Sequence, residues 1–337
     1  MASRIGLILL RISKEPDDLA FTPAVGERVH WDQLPDTIRR ALETRLGSTV
    51  TESVTQPGGF SPGVAARLRL ADRRRVFIKV IGSWPNPDSP GMHRREARIA
   101  AALPGSVPTP RFLWSYDDGD WVAITFEDID GRTPVTPWRE EELSRVLDAV
   151  TQLVESLTPS PIAVEPIAQR LHEQFQGWRK LRAAPRTGAD DLVGVPEWAQ
   201  RHLERLATLE SEWQEASAGP TLLHFDLRAD NILLAPDRVL VVDWPHGSLG
   251  AGWMELLQLL PSIAMQGGPR PWEIFDSHPL GRPAPDRAVT AVLAALAGYF
   301  IVQSRLPAPP GLPTLRAFQR DQGIPALEWL MRRTGWK

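Results

Sequence analysis

The densest concentration of chemistry-bearing side chains is His224-Phe225-Asp226-Leu227-Arg228-Ala229-Asp230-Asn231, followed by Asp243 behind the apolar run Val239-Leu240-Val241-Val242. Leu222-Leu223 leads in as a short strand. Ile232-Leu233-Leu234 and Val239 to Val242 read as a hairpin about the turn Pro236-Asp237-Arg238. Such a hairpin sets Asn231, at its start, beside Asp243, at its end, with Asp226 just before it. Three oxygen-bearing side chains then converge on one point. Mg²⁺ is a hard cation that takes oxygen ligands. Phosphoryl transfer also needs a carboxylate left free of metal to orient the attacking hydroxyl. Turn preference accounts for Asp230 and Asp237, but not for an aspartate that closes an apolar strand.

The stretch resembles the catalytic loop of the aminoglycoside phosphotransferase and choline kinase family, relatives of the protein kinases. That loop reads H-G-D-x-x-x-x-N, with I-D-W or I-D-F downstream; here the matches are His224-Phe225-Asp226, Asn231 and Val242-Asp243-Trp244. The resemblance implies a catalytic base at Asp226, a metal ligand at Asn231 and the principal magnesium ligand at Asp243. It also implies Mg²⁺ and ATP or GTP as cofactors, with the γ-phosphate passing to a hydroxyl of a small metabolite or antibiotic. The implied fold is α+β and bilobal: a small antiparallel-sheet N-lobe at 35–129 and a larger helical C-lobe at 130–337, after an extension at 1–34. Arg228 stands two residues past the base, where protein kinases carry a lysine, and is expected to touch the transferring phosphoryl group. His224 is expected to position the loop. The chain departs from the family at Gly250-Ala251-Gly252-Trp253-Met254-Glu255-Leu256, where G-D-P-A-x-D-L is usual. Ala251 replaces one aspartate. Glu255 replaces the other, which ordinarily supports the catalytic loop.

Several elements must position these groups. Gln56-Pro57-Gly58-Gly59-Phe60-Ser61-Pro62-Gly63 reads as a glycine-rich turn between strands, where backbone N–H groups can approach phosphates. Lys79 lies mid-strand in Val76-Phe77-Ile78-Lys79-Val80. Only Lys14, Lys79, Lys180 and Lys337 are lysines among 38 basic residues. A phosphate-binding lysine offers a compact point charge that a guanidinium does not mimic. Ser89-Pro90 opens a helix running to Leu103, with Glu96 on its apolar stripe; a carboxylate on an inward face wants a cation, and the kinase resemblance supplies Lys79. Phe126-Glu127-Asp128-Ile129 resembles the hinge between lobes, so Glu127 and Ile129 join the expected nucleotide site. Farther on, Leu143 to Leu157, Ile167 to Leu181, Pro196 to Ala216, Glu255 to Met265 and Asp286 to Arg305 read as helices.

The chain has 337 residues and a formal net charge of -3, enough for two lobes and unlike a protein whose main partner is nucleic acid. It has no cysteine, which excludes disulfides, thiolate nucleophiles and cysteine-based zinc sites. Ile5 to Leu10 is too short for a signal-peptide core, and Ala288 to Ser304 falls short of the ~20 apolar residues of a membrane span. The expected setting is therefore cytoplasmic, away from membranes. From His246 to Lys337 nine basic residues oppose six acidic ones. A pocket for polycations needs the opposite balance, so the expected acceptor is neutral or modestly charged. The alternative is a catalytically silent nucleotide-binding regulatory protein on the same fold; loss of Asp226, Asp243 or Lys79 would mark it, and all three are present.

Overall fold

The computed structural model describes residues 21–60, 62–84, 86–184 and 192–337. Its N-terminal part is a five-stranded antiparallel sheet of order β1-β2-β3-β5-β4: β1 Val50–Thr55, β2 Val64–Leu70, β3 Arg75–Gly82, β4 Phe112–Asp117 and β5 Trp121–Glu127. Alternation decides its two faces. Val64, Ala66, Leu68 and Leu70 of β2 join Val76, Ile78 and Val80 of β3 on the outer face. Helix α1, Asp36–Leu46, covers them with Ile38, Leu42 and Leu46, and ends at Gly47 in the left-handed conformation. The inner face carries Ala65 opposite Lys79, which in turn lies opposite Ile124. Helix α2, Ser89–Ala102, packs there through Ala97 and Ala100. It opens at Ser89-Pro90 as expected, with Asp88 as its cap.

From Glu140 onward the chain is mainly helical, interrupted by short strands that carry the catalytic loop. Strand β6 Thr221–Leu223 pairs with β9 Ser248–Gly250, and β7 Ile232–Leu234 pairs with β8 Val239–Val241 as the expected hairpin. The main helices are α3 Glu140–Ser156, α9 Trp253–Met265, α11 Asp286–Gln303 and α12 Leu315–Thr334, with the short α10 Pro271–Phe275 between α9 and α11. Two expected helices are broken: 167–181 divides into α4 Ile167–Arg170 and α5 Gly177–Ala183, and 196–216 into α6 Glu197–Arg201, α7 Leu203–Glu210 and α8 Trp213–Ala216. The first break allows Gly177 to meet Gly298 of α11, where an added Cβ would stand 2.2 Å from the Gly298 carbonyl oxygen. Asp286–Gln303 is long and apolar enough to cross a membrane by composition, but its apolar side chains lie in the helical core.

The expected N-terminal extension packs against both lobes where it is described. Trp31 and Leu34 are buried in the core under α1. Residues 24–29 run beside the glycine-rich turn: Gly26 N–H donates to Gly59 O, Gly59 N–H to Ala24 O and Val29 N–H to Gly63 O. The same segment reaches the helical lobe, with Glu27 N–H on Gly311 O and Thr22 on Asp321 of α12. Residues 1–20 lie outside the described residues.

Candidate active site

Lys79 joins the two lobes. Its Nζ donates to Glu96 Oε1 at 2.8 Å and Oε2 at 3.0 Å, and to Asp243 Oδ1 at 2.9 Å. Lys79 and Glu96 are buried in this contact and Asp243 is partly so. Burial works to lower the Lys79 pKa, but Asp243 and Glu96 together raise it, so the lysine stays charged. Burial raises the carboxyl of Glu96, with Lys79 opposing it. Burial also disfavours the Asp243 carboxylate, yet Lys79 holds its pKa well below the usual range.

Asp243 has φ 71° and Phe225 φ 55°, both in the left-handed region that side chains other than glycine rarely occupy. Such a backbone costs about 1–2 kcal/mol per residue and persists where surrounding bonds over-determine it. Glu255 supplies those bonds for the loop. Its buried carboxyl accepts the His224 N–H and, at 3.2 and 3.3 Å, the Phe225 N–H. The glutamate at this variant position therefore does support the catalytic loop. Burial raises its pKa to about 8 against those bonds. His224 accepts the Asp226 N–H on Nδ1 and donates from Nε2 to Val242 O at 2.9 Å, tying the loop to the strand that ends in Asp243. With both nitrogens so used, and burial lowering its pKa, His224 is a neutral positioning residue.

Asn231 donates its amide to Asp226 O at 2.8 Å and to Asp226 Oδ2 at 3.2 Å. Among the described residues nothing donates to Asn231 Oδ1, and the second oxygen of Asp243 is likewise uncommitted. This donor set fits a hard cation completed by phosphate oxygens. No group of three or more His, Cys, Asp or Glu side chains among the described residues forms a metal cage of its own. Arg228 is buried; it donates to Asp226 Oδ1 and holds Asp230 through Nε at 3.0 Å and a terminal nitrogen at 2.9 Å. Its guanidinium thus sits directly on the expected base.

The glycine-rich turn is placed over this centre with one departure from expectation. The Gly59 N–H is spent on Ala24 O, so it is not a phosphate donor. Positive charge enters there as Arg28, which donates to Gly58 O and lies in the fields of Asp243 and Asp230. A Cβ on Gly58 would meet nothing within 4 Å, leaving room for close backbone approach. Phe60 packs edge-on against Phe318 of α12, centroids 5.1 Å apart, with the Arg228 guanidinium over both rings. Ser61 lies outside the described residues. At the hinge, Glu127 exchanges bonds with Arg111, and the Ile129 carbonyl accepts Arg67 and the Gly131 N–H. Asp128 pairs with Arg67 and Arg75. Glu127 and Ile129 stand apart from the cavity that holds Asp226 and Asp243.

That cavity, of about 270 Å³, includes groups the sequence reading missed: His93, His246, Tyr299, Gln319 and Gln322. Burial lowers both histidines to about 4, so they are neutral. The signal for the last two was the Phe318, Gln319, Gln322 face of α12, a helix beyond the reach of the family motifs.

The phosphotransferase enzyme family profile matches residues 57–299. A thiamine kinase of Salmonella heidelberg is 26% identical over 211 residues, 58% of this chain and 65% of that protein. The mouse acyl-CoA dehydrogenase family member 10 is 26% identical over 201 residues, 54% of this chain and 18% of that protein. The match thus spans less than two thirds of either relative. Among solved structures, aminoglycoside phosphotransferase APH(4)-Ia, in ternary complex with AMP-PNP and hygromycin B, superposes with TM-score 0.56 at 13% identity, covering 90% of this chain and all of that one. A choline/ethanolamine kinase family protein from Mesorhizobium loti gives TM-score 0.53 at 17% identity over 88% and 94% of the two chains. These likenesses bear out the bilobal α+β fold.

Proposed function

The chain belongs to this phosphotransferase enzyme family, and from that premise we propose that it transfers the γ-phosphate of ATP or GTP to a hydroxyl of a small molecule, with Mg²⁺, in the cytoplasm. The observation that carries the reading is the single junction at which Lys79, Glu96 and Asp243 meet beside Asn231 and Asp226. When bound, the magnesium nucleotide supplies the phosphoryl group and neutralises charge on the leaving phosphates. Asp243 and Asn231 Oδ1 would hold the metal. Lys79, fixed by Glu96, and Arg28 would face the phosphates. Asp226 accepts the proton of the acceptor hydroxyl as its oxygen bonds to phosphorus and the nucleoside diphosphate leaves. Arg228 fixes the Asp226 carboxylate and places positive charge beside the transfer path.

Nucleotide-Mg²⁺ titration, followed by nucleoside diphosphate release with a panel of alcohols, tests the proposal. Binding of ATP-Mg²⁺ or GTP-Mg²⁺ and acceptor-dependent diphosphate release are expected. A folded protein that binds neither nucleotide would rule the reading out.

A further inference from the structure

The cavity beside Asp226 is short of uncommitted negative charge. Its lining carboxylates are Glu96, Asp226 and Asp243. Each already faces a cation, Lys79 for Glu96 and Asp243 and Arg228 for Asp226, and the remaining Asp243 oxygen is the one the proposed metal would take. An ammonium entering here would lose its hydration and find no carboxylate to replace it, which is prohibitive for a group carrying several charges.

What the cavity does offer is apolar surface and hydrogen-bond donors. Phe60, Phe300, Leu312, Leu315 and Phe318 form an apolar wall. Gln322 is 3% exposed and its Nε2 has no partner, although an amide left so costs free energy unless a ligand or water meets it. Tyr299 accepts a bond from Gln319 at 3.2 Å, while its own proton has no acceptor among the described residues. Arg170 donates to His246 Nδ1, which leaves the neutral ring's proton on Nε2. Three donors therefore line a cavity with an aromatic wall.

We propose that this cavity takes an uncharged alcohol on an apolar, ring-bearing body, with at least one further oxygen that accepts hydrogen bonds from Gln322 and Tyr299. The inference rests on the phosphotransfer reading, because it assigns the acceptor of that same site.

The test uses the full chain. Nucleotide-Mg²⁺ titration comes first, since its failure removes the phosphotransfer reading and this inference with it. Acceptor class is then read by saturation-transfer NMR binding and by diphosphate release. The probes are polycations (kanamycin, hygromycin B), monocationic alcohols (choline, thiamine) and uncharged alcohols (riboflavin, chloramphenicol, 2-phenylethanol). Uncharged ring-bearing probes should bind and turn over at least tenfold better in kcat/KM than any cation. Gln322→Leu should weaken the best of the oxygen-rich uncharged probes by about tenfold while leaving 2-phenylethanol, which has no second oxygen, nearly unchanged. Gln322→Glu should shift the ratio toward the monocations. With nucleotide binding intact, the inference is overturned if a cation is the best acceptor. It is equally overturned if no uncharged probe binds, or if Gln322→Leu affects both uncharged probes alike.

Discussion

At the scale of single residues, the site divides into groups that act and groups that hold them. Asp226 is the proposed acting carboxylate, and its backbone is fixed by His224 and Asn231 rather than by its own charge. Asp226→Asn should therefore fold and bind nucleotide normally while turnover falls ~10²–10⁴-fold, the range for a positioned general base; near-normal turnover would remove Asp226 from the mechanism. Asp243 differs, because the carboxylate proposed to take the metal is also the partner of Lys79. Asp243→Ala should abolish Mg²⁺-dependent nucleotide binding in calorimetry, and unchanged affinity and stoichiometry would assign the metal to other groups. Arg228 was expected at the phosphoryl group and is found clasping Asp226 and Asp230. Arg228→Ala should lower kcat more than it weakens nucleotide binding, since the arginine sets the base and adds charge at the transfer path. An unaltered kcat would leave it a purely structural arginine.

Elements explain why these residues meet. The loop–hairpin that places Asp226, Asn231 and Asp243 was legible in the sequence because its signals are local: an apolar alternation, a turn and a polar terminus. The Lys79–Glu96 pair was legible because the helix period puts Glu96 on an inward stripe and the kinase resemblance supplies Lys79 as its partner. The Gly59 bond to Ala24 and the α12 wall were not legible, since neither periodicity nor local turn chemistry encodes which distant segment lies against a loop. Helix α9 contributes Glu255 at its first turn, and this residue carries a pH signature. Its folded pKa is raised to about 8 from an ordinary 4.5, mainly by burial. The folded state then holds a proton that the unfolded state releases, so this contribution to stability is complete below about 4.5 and is lost as pH rises to about 8. Glu255→Gln keeps an acceptor for the loop N–H groups without titrating. The stability of the wild type minus that of Glu255→Gln, from urea unfolding, should fall with pH across this window by at most ~1.4 kcal/mol per pH unit. A flat difference would show that the three loop bonds keep Glu255 ionised.

Over the whole molecule, several contacts join the lobes besides the hinge, among them Arg95 with Glu165 and Phe60 with Phe318. One is the Lys79–Asp243 contact inside the cleft. Another is the N-terminal segment, which bonds the glycine-rich turn through Ala24, Gly26 and Val29 and the helical lobe through Thr22 and Glu27. Opening the cleft must stretch this strap, so its anchor should govern how tightly the turn closes on a nucleotide. The anchor is Asp321 on α12, whose Oδ2 accepts Thr22 N–H at 3.1 Å and Thr22 Oγ1–H at 2.6 Å. Hydrogen bonds to a charged acceptor contribute ~1.5–3 kcal/mol when buried, and less at this partly exposed end. Asp321→Ala should lower stability by about 1 kcal/mol and speed nucleotide dissociation several-fold in stopped-flow measurements. Thr22→Val removes only the hydroxyl half of the same anchor and should do less of both. The double variant should add little to Asp321→Ala, as expected of residues that share one interaction. Additive effects, or dissociation unchanged in Asp321→Ala despite the lost stability, would mean that the strap packs against the lobes without controlling the cleft.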